Sequence, residues 1–328
     1  AALFEVRRTG TRRSPAPHGK TLRRAIDGRT GTGIDAGSAR ATVPGGSERR
    51  RVPAYASDPV VDISEEFQNV RVVVAGEPTG CSGKAHALAT GMNEAIHDRI
   101  VWTDDDFHHS SDWLADFYEA YDQHGPVPEL YFFVGSDPLS TLFEPIYFIG
   151  GTLGTYASDK PWGGAVMFKG DDLNWESFLR YLRLTVSDDQ LLSEYLDTTT
   201  LNWVHRVEIG GSIRETLERY VRFTQIIHRH NPRDTIVRGL VTSVLALFCL
   251  VAPPYAAISV TTLATRVYAY VGTYRWTALL AYPAIICQVP LMIYVLGRRT
   301  FVWGGRRYRW PSCLVWSIVP ASETLQPV

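Results

Sequence analysis

Residues 99–107 read Arg-Ile-Val-Trp-Thr-Asp-Asp-Asp-Phe, and the reading of this stretch decides the fold. Ile100 to Thr103 form a short apolar, β-rich run, which predicts a buried strand. Three carboxylates follow, Asp104, Asp105 and Asp106. Asp has low strand propensity and adjacent negative charges repel, so folding alone gives little reason for the triplet. In an open α/β sheet, ligands bind just beyond the carboxyl ends of strands. Alternate residues at such an exit turn two carboxylates toward one hard cation, and Mg²⁺ or Mn²⁺ prefers oxygen donors shared with phosphates. The blander reading is an acidic turn that caps the next helix.

Outward from this stretch, the neighbouring segments alternate in type. Pro59–Ile63 and Val70–Ala75 are predicted strands, followed by a turn-rich loop at 76–83. Lys84–Ile96 has helical spacing, as does Asp112–Tyr121 with Trp113, Leu114, Phe117 and Tyr121 on one side. Strand–helix–strand–helix order predicts an α/β domain with a mostly parallel sheet. Ala165–Phe168 reads as a short strand, Trp175–Leu184 as a helix, and Ser187 as the cap of a helix reaching Leu196.

Charge divides the 328 residues into three parts. Residues 1–57 carry a net +8, residues 58–236 a net −16 and residues 237–328 a net +7. The head is rich in Arg, Gly, Ser, Thr and Pro without apolar periodicity, a composition expected to be disordered. Residues 58–234 are expected to form the catalytic domain and 235–328 a membrane anchor of two or three helices. Thr235–Val260 is nearly continuous apolar sequence, and Trp276–Leu296 is a second such run. Each is long enough to cross a hydrocarbon core of about 30 Å. Arg229, Arg233 and Arg238 before the pair, and Arg298, Arg299, Arg306, Arg307 and Arg309 after it, predict that both ends and the acidic domain lie in the cytoplasm. Residues 130–157 are apolar but broken by Pro and Gly, and read either as an interfacial element or as core. The four cysteines have neither zinc-type nor disulfide-type spacing.

Three further motifs bear on chemistry. Gly83-Lys84 opens a helix after a strand, where free N–H groups favour a phosphate. A P-loop is excluded, because Pro78 and Ala85 stand where Gly and a hydroxyl are required. Ser187-Asp188-Asp189 opens another helix, and a carboxylate there can act as general base or merely as a cap. Arg219 and Arg222, three apart on one helical face, suit a diphosphate or an anionic membrane surface.

Taken in order, Gly-Lys-Ala-x-Ala-Leu, the strand ending in Asp-Asp-Asp, Trp162-Gly163-Gly164, Ser-Asp-Asp, and Arg-x-x-Arg-aromatic before apolar helices resemble the membrane-bound family 2 glycosyltransferases. The likeness looks closest to the ceramide glucosyltransferase-like branch, whose Trp-x-Gly-Arg-x-Tyr element is similar to Trp303–Tyr308. The resemblance implies a GT-A-type, Rossmann-like domain followed by transmembrane helices, at the cell membrane. It implies Asp104 and Asp106 as ligands of Mg²⁺ or Mn²⁺, with Asp105 between them. Asp189, or else Asp188, matches the catalytic base. Lys84, Asp104, Asp105, Arg219, Arg222 and Phe223 match the donor and diphosphate site, Phe223 replacing the usual Trp. Asp58 matches the early base-contacting carboxylate, and Trp162, Gly163 and Gly164 the acceptor side. The implied reaction transfers a sugar, with inversion, from a nucleotide-sugar to a lipid or polyprenyl acceptor, with no nucleic acid partner. The family's opening strand, of the type Val-Ser-Val-Ile-Ile-Pro, has no counterpart in residues 1–57. That leaves as an alternative an inactive scaffold of the same fold lacking a complete donor site; a second alternative, a membrane nucleotidase or nucleotidyltransferase, keeps the metal cluster.

Overall fold

A computed structural model describes residues 2–6, 48–51, 70–104, 109–309 and 317–319, with 2–6, 48–51, 70 and 317–319 given by backbone alone. The expected strand at Pro59–Ile63 and the candidate site residues Asp58, Asp105 and Asp106 lie outside the described residues.

The strands are β1 (Ala2–Val6), β2 (Glu48–Arg51), β3 (Val70–Val72), β4 (Arg99–Thr103), β5 (Val127–Pro128), β6 (Leu130–Gly135), β7 (Ala165–Lys169) and β8 (Val204–Ile209). A six-stranded sheet has the order β3-β2-β1-β4-β7-β5, and β6 pairs in parallel with β8 beside it. Helices α1 (Gly83–Asn93) and α2 (Trp113–His124) follow β3 and β4, as the alternation of segments predicts.

The pairing differs from the mostly parallel sheet expected. Among the described ladders of the large sheet, only β2 with β3 is parallel. β3, β4 and β5 do run in one direction, but β1 and β7 run the other way beside β4. Helical crossovers read from the sequence fix strand direction, and cannot show that a reversed strand is inserted between neighbours. β1 and β2 lie within residues 1–57, where no strand was expected. Their register sets Leu3 opposite Trp102 and Phe4 opposite Val101. Such short islands contribute too little to the composition of a long polar segment to be visible in it.

β4 is buried along its whole length, and its alternation divides the core. Ile100 and Trp102, with Val166 and Phe168 of β7, face Ala85, Leu88, Ala89 and Met92 of α1. Trp102 meets Phe168 edge-on at 5.4 Å. Val101, Ala165 and Met167 face Trp113, Leu114 and Phe117 of α2 on the other side. This period-2 division follows from side chains pointing alternately across the pleat.

Residues 130–152 contribute buried side chains to the core, whereas Leu153–Ala157 contributes none. β6 leads to α3 (Pro138–Ile146), capped by Asp137, whose Oδ1 accepts from the N–H groups of Leu139 and Ser140. A π-helical stretch, Tyr147–Thr152, and a last turn, Leu153–Ala157, carry α3 onward. Phe132, Phe143 and Phe148 are buried. Next come α4 (Trp175–Leu182), α5 (Asp188–Tyr195) and the long α6 (Ile213–His230), which opens with a Ser212/Glu215 capping box.

The apolar tail holds three helices, α7 (Pro232–Val251), α8 (Pro253–Tyr270) and α9 (Ala281–Leu296). The single run expected over Thr235–Val260 breaks at Ala252, because Pro253 and Pro254 start a new helix. The helix at 232–251 and the helical run Trp276–Leu296 are long and apolar enough to cross a membrane by length and composition. α7 and α9 run antiparallel, with Gly239 close to Met292 and the Tyr282 hydroxyl donating to the Cys249 carbonyl at 3.1 Å. α8 lies between them in the chain. A buried ion pair fastens this bundle to the α/β domain: Glu144 of α3 accepts from Arg275 Nε at 2.8 Å and from Nη2 at 3.0 Å, and also from Thr277. The chain then returns to the domain as a hairpin of β9 (Thr300–Trp303) and β10 (Arg306–Arg309), with β11 (Ser317–Val319) alongside. Its turn, Gly304-Gly305, has both φ values positive, as a two-residue type I′ turn requires.

Candidate active site

The carboxyl end of β4, the start of α1 and the start of α5 meet at one cavity of about 1170 Å³. Lys84, Asp104, Trp162, Asp188, Asp189, Arg219, Arg222 and Phe223 all line it. These residues, named from sequence on five separate segments, therefore share one space, while Gly163 and Gly164 stand behind its lining.

Each is placed by its local structure. Ser82 caps α1, its hydroxyl accepting from the Ala85 N–H at 3.1 Å. That cap takes one of the N–H groups that would otherwise face an anion, a difference from the phosphate site expected there. Lys84 instead directs its ammonium at carboxylates, with Nζ 2.8 Å from Asp104 Oδ1 and 3.0 Å from Asp188 Oδ2. Burial opposes the charge on Lys84, but Asp104, Asp188 and Asp189 outweigh it and raise its pKa well above the usual value. Ser187 caps α5 as expected, accepting from the Gln190 N–H at 3.4 Å. Asp188 and Asp189 thus occupy the first helical positions, where the helix dipole favours negative charge.

Asp189 faces the Trp-Gly-Gly loop, and Oδ1 accepts the Gly163 N–H at 2.6 Å. A Cβ on Gly163 would lie 2.4 Å from Asp188 Oδ2 and 2.5 Å from Asp189 Oδ1. The absence of a side chain is what lets this backbone reach both carboxylates. Gly164 has a similar role beside Trp162, whose indole would lie 2.2 Å from a Cβ there. Trp162 itself packs against Tyr131 at 5.1 Å. Burial, then the neighbouring Asp188, pushes the Asp189 carboxyl up to about 7, against the opposing pull of Lys84 and the Gly163 N–H.

α6 brings the cations. Arg219 Nη2 donates to the Gly210 carbonyl at 2.8 Å. The Arg222 guanidinium sits between two rings, 4.8 Å from Phe223 and 4.7 Å from Trp303. Burial and the nearby Arg219 lower its pKa to about 10, so it keeps its charge at neutral pH.

Other lining residues carry little or no chemical signature in the sequence. Trp303, Arg306 and Tyr308 arrive on the hairpin after the apolar helices. The type I′ turn places Trp303 opposite Arg306, and the Trp-x-Gly-Arg-x-Tyr likeness was the available signal. Tyr131 and Tyr147 had none; an aromatic residue in an apolar run reads as core.

Asp104 presents an oxygen donor at the cavity wall, the ligand type a hard divalent ion prefers, and Lys84 is paired with it and with Asp188. The arrangement as a whole offers a proton acceptor with a near-neutral pKa, a cationic wall and a carboxylate for a metal, all around a space of ligand size.

Residues 55–161 match the model of a family described as "Glycosyl transferase family 2". The match places a family 2 glycosyltransferase domain over this stretch, which includes Lys84 and Asp104, and supports glycosyltransferase activity. No curated protein matches the chain. Among solved structures, one of S. aureus TarS 1–349 in complex with UDP-GlcNAc aligns over 80% of this chain and 86% of that one, at 10% identity and a TM-score of 0.34.

Proposed function

We propose that the protein is a membrane-anchored glycosyltransferase that moves a sugar from a nucleotide-sugar to a hydroxyl of a lipid or polyprenyl-type acceptor, with inversion at the anomeric carbon. The observation that carries this reading is the meeting of Asp189, held by Gly163 and pushed up to about 7, with the Lys84–Asp104 pair across one cavity. Asp189 takes the proton of the acceptor hydroxyl, whose oxygen forms a bond to the anomeric carbon as the bond to the nucleoside diphosphate breaks. A base of this pKa is unprotonated in useful amount at neutral pH yet still holds the proton it receives. Arg219 and Arg222 face the charge that gathers on the leaving diphosphate, and the Phe223–Trp303 sandwich holds Arg222 in place. Trp162 supplies an apolar platform on the acceptor side, with Gly163 and Gly164 giving the loop its close approach.

Asp104, with Asp106, would hold Mg²⁺ or Mn²⁺, which when bound neutralises the diphosphate and makes it a better leaving group. Asp58 and Asp105 complete the donor site in this reading. The Trp303–Tyr308 hairpin, which closes one wall of the cavity, supports placement in the ceramide glucosyltransferase-like branch.

A membrane anchor is supported by what the apolar helices expose. Ile236, Leu240, Val244, Leu247 and Val251 of α7 are more than half exposed, and only 17% of each candidate span is buried. A helix in a soluble core would hide these side chains. The arginines flanking the pair place the α/β domain on the cytoplasmic side of the cell membrane in this proposal.

The test is direct. Membranes containing the protein are incubated with labelled nucleotide-sugars and Mn²⁺, and the extracted lipids are weighed by mass spectrometry. A lipid fraction heavier by one sugar residue is the expected result. Free sugar phosphate, or release of sugar without any lipid product, would point instead to the nucleotidase reading.

A further inference from the structure

Outside the cleft, three side chains from three separate segments converge. His109 lies six residues beyond the end of β4, Glu129 joins β5 to β6, and His205 lies on β8. One ligand atom of each lies within 4.8 Å of the others, and none of the three lines the catalytic cavity.

The surroundings of Glu129 call for positive charge. The residue is buried, and Oε1 accepts the indole N–H of Trp113 at 3.0 Å. Oε2 makes no hydrogen bond. Its neighbour, His205 Nδ1, stands 3.6 Å away, beyond hydrogen-bond range. Two ligand atoms each about 2.1 Å from one tetrahedral ion lie about 3.4 Å apart, so the separation suits a shared ion better than a direct bond.

The ring of His109 is fixed from two sides. It stacks on Trp113 at 3.6 Å, and Nε2 lies 2.8 Å from the Thr103 hydroxyl. Metal-bound imidazoles are held in this way by a hydrogen bond to the other ring nitrogen. Two imidazoles with one carboxylate suit zinc-like ions, whereas Mg²⁺ demands oxygen ligands, and three protein ligands leave a fourth position for water.

We propose that His109, Glu129 and His205 form a second metal site, for Zn²⁺ or a similar imidazole-favouring divalent ion, separate from the oxygen-donor site at Asp104. Its ligands tie the segment following the acidic residues to β8 and to the β5–β6 joint. Bound metal would therefore hold His109 against the two-stranded sheet. The site does not depend on sugar transfer being the reaction, and its test does not use activity.

The full-length protein, purified in detergent and stripped with a chelator, is titrated with Zn²⁺ and with Co²⁺. One equivalent of Zn²⁺ should survive dialysis and raise the melting temperature. Co²⁺ should give the intense visible absorption of a low-coordinate site. His109→Ala and His205→Ala should each weaken Zn²⁺ binding at least 10-fold, and Thr103→Val, which keeps all three ligands, by roughly 10-fold. Asp104→Asn should leave Zn²⁺ affinity unchanged. Where the histidine variants fail to fold, Thr103→Val and the wild-type Co²⁺ spectrum decide. Loss of all Zn²⁺ on dialysis of the wild type, a pale octahedral Co²⁺ spectrum, wild-type affinity in the Thr103 and histidine variants, or loss of binding in Asp104→Asn would each overturn the proposal.

Discussion

The backbone N–H of Gly163 donates to Oδ1 of Asp189 over 2.6 Å, which joins a loop before β7 to the first turn of α5. The contact fixes the direction of a carboxylate that the helix alone would leave to choose among rotamers. Gly163→Ala would push a methyl group to within 2.5 Å of two carboxylate oxygens, so one element must move. Transfer is expected to fall about 100-fold, since misplacing a reacting group by an ångström costs that much. Kinetics of the variant, with circular dichroism to verify its fold, check this.

The pH dependence follows from burial. Asp189 must be unprotonated to accept a proton, and its carboxyl lies at about 7. kcat/KM should rise with pH through the region below 7 and level off above it, because this parameter reports the free enzyme. Asp188 is the second cause of the elevation, after burial. Asp188→Asn should therefore move the limb to lower pH, and a pH–rate profile of the variant measures the shift.

Arg222 is predicted to be intolerant of Lys. Its planar guanidinium lies between Phe223 and Trp303, and an ammonium lacks both the flat stacking surface and the forked donors. Arg222→Lys should raise the KM for the nucleotide-sugar roughly 10-fold, in line with about 1–2 kcal/mol for a desolvated cation–π contact. Trp303→Leu should act in the same direction and Phe223→Trp should not, which steady-state kinetics distinguish.

The link between domain and helix bundle is open to a stability test. Glu144 is fully buried and shared by Arg275, Thr277 and the Gly135 N–H. Glu144→Gln leaves Arg275 without its counter-charge, and breaking a buried pair from one side costs about 3–5 kcal/mol. The double change Glu144→Met with Arg275→Met should cost less than Glu144→Gln. Melting in detergent, followed by intrinsic tryptophan fluorescence, compares them.

How much of the fold and the site was legible depends on what each residue announces. Asp104 stood out because carboxylates at a strand exit have little folding purpose of their own, whereas Asp188 and Asp189 at a helix start also read as a cap and gained meaning only from the order of the motifs. Lys84 was visible as a cation opening a helix, but its partners were not; an anion was expected where Ser82 supplies the cap. Tyr131 looks like any core aromatic until the fold brings it to the cavity, whereas Trp303 was marked only by the Trp-x-Gly-Arg-x-Tyr likeness. His109, Glu129 and His205 lie far apart in the chain and follow no ligand spacing, so only tertiary structure assembles them. The break at Ala252 was signalled by Pro253-Pro254, yet hydropathy averaged over a long window passes across it. The reversed β1 and β7 left no trace, because strand direction is a property of connections and not of residues.

The most direct measurement compares binding with turnover in Asp189→Asn. The amide keeps the size of the side chain and can still accept the Gly163 N–H, but it cannot take a proton from a hydroxyl. Calorimetry with the nucleotide-sugar and Mn²⁺ should show affinity within a few-fold of wild type, while sugar transfer falls by a factor of about 10³ or more, within the usual range for a lost general base. Transfer at the wild-type rate by this variant would contradict the account.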